Sequence, residues 1–186
     1  GGVNYYDRSF DVFKHFSVGD NNSKLNYRVV SAIVEDANKN LWIGTEGGGL
    51  NFYNHTTGLF DYYMHNESKS TSLSTDNVKT ILKTKEGNLW IGTHDGGLNF
   101  CNPQKKPIVF KSFKNDLENP NSLNNNRVIS LLEDYKANIW VGTSGGGINM
   151  LDTKNQQFTT IPDPLNLVGN YIFCIVATSD DNAILV

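Results

Sequence analysis

The sequence predicts an all-β fold of four-stranded, antiparallel propeller blades. Three observations predict it. First, a five-residue motif recurs: Leu41-Trp42-Ile43-Gly44-Thr45, Leu89-Trp90-Ile91-Gly92-Thr93 and Ile139-Trp140-Val141-Gly142-Thr143, at spacings of 48 and 50 residues. Second, each copy runs into a glycine turn and a second apolar segment: Gly48-Gly49-Leu50-Asn51-Phe52, Gly96-Gly97-Leu98-Asn99-Phe100 and Gly146-Gly147-Ile148-Asn149-Met150. Third, the apolar runs are short and bounded by turn residues, with 25 Asn and 17 Gly in 186 residues. A period of about 40–50 residues built from four short strands is the pattern of a propeller blade. A helical solenoid would need a period of about 3.6, which these segments lack.

Each repeat reads as strands a to d. Strand a spans Val29 to Glu35, Val78 to Lys83, Val128 to Glu133 and Tyr171 to Ala177. Strand b carries the Trp, and strand c starts at Leu50, Leu98 or Ile148. Strand d is Phe60 to Tyr63, Ile108-Val109-Phe110 or Phe158 to Ile161. The a–b turn is Glu86-Gly87-Asn88 in one copy and contains Asn in the others. Three complete blades are expected over 28–65, 77–114 and 126–161. Residues 1–16, opening on Gly1-Gly2-Val3-Asn4-Tyr5, supply strands c and d of another, and residues 170–186 supply strands a and b of another. In that last copy Asn182 matches Asn40, Ile184 stands in the Trp column and Val186 in the Gly column.

The repeated residues have structural reasons. Trp42, Trp90 and Trp140 fill the space between neighbouring sheets, each burying about 150–250 Å². Gly44, Gly92 and Gly142 suit close approach between backbones. The glycine run lets the b–c hairpin take positive φ. A glycine-rich phosphate cradle is excluded because no helix follows to offer its N-terminus.

Composition excludes several classes. A net charge of −3 with three Arg argues against a nucleic-acid binder. No apolar run reaches the ~18 residues of a spanning helix. Two Cys, 73 positions apart, form neither a metal cluster nor a disulfide framework, and Cys101 and Cys174 read as small buried hydrophobes. Asp36-Ala37-Asn38-Lys39-Asn40 begins like a calcium loop but lacks its later Gly and Glu. No metal and no cofactor is expected.

The pattern Asn-x-Val-x-x-Ile-x-Glu-Asp, then Gly/Ala-Asn-Leu-Trp-Ile-Gly-Thr, then Gly-Gly-Leu-Asn, resembles the two-component regulator propeller repeat. Asn126 to Asn149 matches best, and Asn115-Asp116 with Ser122-Leu123, and Ser72-Leu73, resemble the linker before it. The second full copy departs from the pattern where Lys83-Thr84 replace Glu-Asp. The resemblance implies the periplasmic sensor region of a hybrid two-component system that detects oligosaccharides released from glycans. It implies an arc of a seven-bladed propeller, a homodimeric parent, a kinase and a membrane helix elsewhere in that parent, and no nucleic-acid contact from this segment. His15, His55, His65 and His94 lie in strands or turns without a helical dimerisation pattern, so none reads as a phosphoacceptor.

The chain is read as an excerpt of a larger ring rather than a closed four-bladed unit. An arc exposes an apolar face at each end. Leaving roughly 1,000 Å² open forfeits about 25 kcal/mol at ~25 cal/mol per Å², more than the ~5–15 kcal/mol stability of a domain. An isolated arc should therefore aggregate, swap or recruit a partner.

Strand alternation puts the b–c turns and the d–a linkers on one face of the disc. The linkers, Ser17 to Tyr27, His65 to Asn77, Lys114 to Arg127 and Pro162 to Asn170, are long, and long loops on a rigid scaffold are where binding usually resides. The b–c turns add Glu46, His94, Asp95 and Ser144, which differ from copy to copy, as a site of low symmetry needs and as unconstrained turns also do. Tyr27 and Tyr171, at linker ends, are the nearest aromatic candidates for a sugar platform. Two other classes stay open. A propeller enzyme, lyase or sialidase-like, would rest on His94 with Asp95, since Arg8, Arg28 and Arg127 share no visible role. A pure protein-interaction propeller would show an apolar rim rather than a polar pocket.

Overall fold

A computed structural model describes residues 1–8, 10–162 and 170–178 and the backbone of 184–185. Among them the secondary structure is entirely β, in five sheets. The first is the hairpin β1 (Val3–Asp7) and β2 (Val12–Phe16). Three four-stranded antiparallel sheets follow. One holds β3 (Val30–Glu35), β4 (Leu41–Thr45), β5 (Leu50–Tyr53) and β6 (Phe60–Tyr63). The next holds β7 (Val78–Lys83), β8 (Leu89–Thr93), β9 (Leu98–Cys101) and β10 (Lys111–Phe113). The last holds β11 (Val128–Glu133), β12 (Ile139–Thr143), β13 (Ile148–Asp152) and β14 (Gln157–Thr160). A short pair, β15 (Val176–Ala177) and β16 (Ile184–Leu185), ends the series. Strand order equals chain order in every full sheet. Neighbouring sheets meet through their first strands, β3 to β7 and β7 to β11. This is an arc of propeller blades.

The Trp columns wedge the blades as expected. Trp42, 1% exposed, packs with Val78, Ile81 and Ile91 of the following sheet, and Trp90 packs with Val128 and Val141 of the next. Each indole also stacks on its own sheet's aromatics: Trp42 on Phe52 at 4.5 Å and Trp90 on Phe100 at 4.8 Å between ring centroids. Trp140 is only half-buried, because its column looks toward the small β15–β16 pair.

The glycine column works differently from the expectation. A methyl at Gly44 would lie 2.5 Å from Val78 Cγ1, one at Gly92 2.6 Å from Val128 Cγ1, and one at Gly142 2.6 Å from Ile172 Cγ2. The space of the missing Cβ is therefore filled by side chains, one from the segment that opens the next blade and, at Gly92 and Gly142, also Thr80 and Ser130 of the same sheet, not by backbone. The same strand carries a bulge in each full sheet, between Val30 and Ala32, Val78 and Thr80, and Val128 and Ser130. The extra residue breaks the alternation at the end near the b–c turn and re-aims the side chain there. In the first bulge the Ser31 hydroxyl donates to the carbonyls of Gly44 and Val78, 3.1 and 2.7 Å away, tying two blades together.

Three expectations need correction. Ile108-Val109-Phe110 does not form strand d, and the ladder starts at Lys111. The preceding turn contains Pro103 and Pro107, which have no amide hydrogen to give, and Phe110 donates its own to the Thr71 carbonyl. Only 176–177 of the stretch from Tyr171 to Ala177 pairs as a strand, and the ladder sets Val176 opposite Leu185, where Val34 faces Trp42. Leu185, not Ile184, thus occupies the Trp register. Asn182, Val186 and most of the linker from Pro162 to Asn170 lie outside the described residues. Finally, Cys174 is exposed while Cys101 is fully buried, and both are free. Cys174 shares the column of Ala32, which faces onward to the following blade.

Apolar side chains are open at both ends of the arc. Phe10 and Phe13 are each 74% exposed near β1–β2, and Phe173 is 75% exposed before β15.

Candidate functional site

The face formed by b–c turns and d–a linkers is built from a hydrogen-bonded unit that repeats. Thr45 Oγ1 accepts from the Gly48 amide and donates to the Gly49 carbonyl, both at 3.0 Å. Thr93 and Thr143 do the same in their copies. The following linker then closes the turn: the Asp76 carbonyl accepts from the amides of Gly47 and Gly49, and the Asn170 carbonyl from Gly145 and Gly147. Gly47, Gly49, Gly97, Gly145 and Gly147 have positive φ, as the hairpin requires. With these amides committed inside the protein, the turns are not an anion cradle.

A second column completes the unit. The buried amides of Asn51, Asn99 and Asn149 each grip the linker 25 residues earlier. Asn51 exchanges hydrogen bonds with Asn26 (3.1 and 2.8 Å), Asn99 with Ser74 (3.0 and 2.8 Å), and Asn149 with Asn124 (3.2 and 2.6 Å). Beside them Leu25, Leu73 and Leu123 are fully buried. The linkers are long but pinned. The signal was in the sequence: Asn follows Gly-Gly-Leu or Gly-Gly-Ile in all three copies, at an alternate position pointing into the blade.

The residues expected to bind a ligand fall into three pairs, one per b–c turn, rather than a common cluster. Tyr27, 37% exposed, lies against Gly47, whose added methyl would meet the ring 2.7 Å away. Next to it Glu46 pairs with Lys79 of the following blade at 2.7 Å. His94 is half-buried and Asp95 exposed, and among the described residues no hydrogen bond or ion pair joins them. Ser144 bridges by its backbone to Tyr171, which is 63% exposed. No group of three or more His, Cys, Asp or Glu among the described residues could hold a metal ion.

Among the described residues, three clefts open on the opposite face, where the a–b and c–d turns meet between blades. Clefts of about 330, 500 and 300 Å³ open at successive junctions. Tyr5, Lys14 and Tyr53 line the first, Trp42, Phe52 and Lys106 the second, Trp90, Phe100 and Lys111 the third. Each combines an aromatic wall with at least one lysine and one carboxylate. The sequence-based expectation put binding on the other face, because it weighed loop length. These clefts come from the splay between sheets, which no local pattern reports.

The a–b turns that rim the clefts are capped by their own first residue. Asp36 Oδ1 accepts from the amides of Asn38 and Asn40 at 2.8 and 3.0 Å, and Asp134 Oδ1 accepts from Lys136 and Asn138 at 2.8 and 2.9 Å. This is the role of the segment that begins like a calcium loop. Asp134 Oδ2 also accepts from the Trp140 indole at 3.0 Å. Burial alone would push the Asp134 carboxyl up, but the hydrogen bonds from Trp140, Asn138 and Lys136 outweigh it and hold its pKa below the ordinary carboxylate value.

Comparison with known proteins agrees with this architecture. The family model for the two-component regulator propeller matches residues 24–47, 72–95 and 122–145. A curated relative, Histidine kinase P4 of Formosa agariphila, is 36% identical over 81 residues, covering 44% of this chain and 6% of its own length. Among solved structures, the extracellular domain of the hybrid two-component system BT3049 from B. thetaiotaomicron superposes with a TM-score of 0.78 at 20% identity, covering 97% of this chain and 24% of that one. A selenomethionine form of virginiamycin B lyase from Staphylococcus aureus gives 0.64 at 14% identity, covering 96% and 53%. The chain thus spans a small part of the kinase and about a quarter of that extracellular domain. At these identities the solved structures establish the fold, and three segments of the chain match the two-component regulator propeller repeat.

Proposed function

We propose that this chain is a ligand-sensing segment of a hybrid two-component sensor kinase. In this reading it lies outside the cytoplasm, in the periplasm, and detects glycan-derived oligosaccharides. The signal crosses the membrane to a kinase elsewhere in the parent and controls transcription of polysaccharide-utilisation genes. The parent works as a homodimer. The observation that carries the reading is the set of three matched repeats on a fold shared with an extracellular two-component domain. The match to a histidine kinase supports it. The clefts on the a–b face supply what oligosaccharide recognition uses, aromatic walls beside amides and charges. The chain itself carries no catalysis in this account. The fold shared with a lyase keeps an enzyme as the second reading, but His94 and Asp95, the pair on which it would rest, do not converge.

Calorimetric titration of the chain with a panel of plant, algal and host-glycan oligosaccharides tests the proposal. Saturable binding without turnover is expected. Turnover of any member, or no heat from any, would overturn it.

A further inference from the structure

The cleft between the second and third blades holds an anomaly. Trp42 is 1% exposed and lines it, yet its indole N–H has no hydrogen-bond partner. The same indole two copies later, Trp140, donates to Asp134 six residues before it. Asp36 stands six residues before Trp42 and makes the same turn bonds as Asp134, Oδ2 accepting from the Asn40 side chain at 2.9 Å, yet it takes no hydrogen bond from the Trp42 indole. An unpartnered buried donor costs about 1–3 kcal/mol, and such a group in a native structure calls for an explanation.

The surroundings say what would satisfy it. Lys83, Lys85 and Lys106 line the cleft, against Asp36 and Glu86. Three ammonium groups against two carboxylates leave a formal balance of one positive charge, and Lys83 Nζ also donates to the Glu35 carbonyl at 2.6 Å. Lys106 Nζ stands over the Phe52 ring, 5.9 Å from its centre, so a cation and an aromatic wall share the cleft. The volume of about 500 Å³ falls within the usual range of ligand sites. Resting on the sensor reading above, we propose that this cleft binds an acidic saccharide. The uronate carboxylate sits among the lysines, a ring or hydroxyl oxygen accepts from Trp42 Nε1, and a sugar face lies along Phe52.

The test uses trigalacturonate, with maltotriose as the neutral comparison, on the ¹⁵N-labelled chain. The three Trp give three indole N–H signals, and Trp42→Phe identifies the relevant one by its loss. Trigalacturonate should move the Trp42 signal saturably, with maltotriose about tenfold weaker. Trp42→Phe and Lys106→Gln should each weaken binding by about tenfold, as loss of a buried donor or a desolvated charge does. Lys136→Gln, remote from the cleft, should change nothing. Equal binding of both sugars would overturn the acidic specificity. Binding that leaves the Trp42 signal still, or survives Trp42→Phe undiminished, would remove the cleft while leaving the sensor reading standing. Silence of the Trp42 signal to both sugars would also remove it, and the calorimetric panel then judges the sensor reading separately.

Discussion

Gly92→Ala is the sharpest perturbation of how the blades meet. The new methyl would lie 2.6 Å from both Val128 Cγ1 and Thr80 Cγ2, and 3.1 Å from Val128 Cβ. Carbon atoms rest about 3.5–4.0 Å apart, so β11 must withdraw from β8 by about 1 Å. Thr80 cannot yield easily, because it is the ladder partner of Gly92. Val128 is fully buried under Trp90. Overpacking of this kind costs about 1–3 kcal/mol, and two clashes on strand residues put the cost near the top, at about 2–3 kcal/mol. Urea unfolding followed by circular dichroism reads it. With a slope of about 1–3 kcal/mol per molar, the midpoint should fall by about 1 M. The double variant Gly92→Ala/Val128→Ala makes room for the methyl. Its loss should be smaller than the sum of the single losses by more than about 1 kcal/mol. A single variant within about 0.5 kcal/mol of the parent, or strictly additive singles, would refute the interlocking of glycine and valine across blades.

Other predictions follow from single residues. Ala137 holds φ of 63° in its a–b turn, where the third blade has Gly87. The left-handed conformation costs a Cβ residue about 1–2 kcal/mol and glycine returns about 0.5–1 kcal/mol of that as chain entropy, so Ala137→Gly should stabilise by about 0.5–1 kcal/mol; a lowered melting temperature would contradict this. Burial pushes the Cys101 thiol up to about 12, while Cys174 is exposed. A thiol reagent at pH 8 should therefore titrate one cysteine in the native chain and two after denaturation, and two fast native thiols would refute that placement. Because the folded pKa of Asp134 lies below its ordinary value, its contribution is fully present above the ordinary carboxylate range and disappears as pH falls through the folded value. The stability gap between the parent and Asp134→Asn should thus be open at pH 6 and narrow as pH falls below the ordinary carboxylate range; a gap independent of pH would contradict the sign. Phe13 and Phe173, exposed at opposite ends of the arc, should drive concentration-dependent association in sedimentation, reduced by Phe13→Ser with Phe173→Ser; a concentration-independent monomer would count against it.

Much of the blade architecture can be read from the chain, because its determinants are local and repeated three times. The Trp motif, the glycine hairpin and most of the short strands sit where their pattern places them. What the pattern misses depends on contacts between blades or on register. Phe110 holds its core position, yet its strand begins one residue later, since its amide serves the linker at Thr71. Leu185 takes the Trp register because the last a–b connection is one residue longer than from Glu35 to Leu41, a count that weak similarity hides. The bulges at Ser31, Lys79 and Ile129 have no composition signal at all. For the site, Glu46 and Tyr27 were legible as turn residues, but the pairing of Glu46 with Lys79 needs the bulge that re-aims Lys79. The clefts and the unpartnered Trp42 donor follow from the angle between sheets, which is a tertiary quantity.

The central claim is that one indole per blade locks each sheet to the next. Unfolding free energies of Trp90→Ala and Trp140→Ala test it most directly, because the first indole is 5% exposed between two full sheets and the second half-buried beside a short pair. The wedge predicts a loss of about 3–5 kcal/mol for Trp90→Ala and at least about 1 kcal/mol less for Trp140→Ala. Equal losses, or a loss below about 1 kcal/mol for Trp90→Ala, would contradict it.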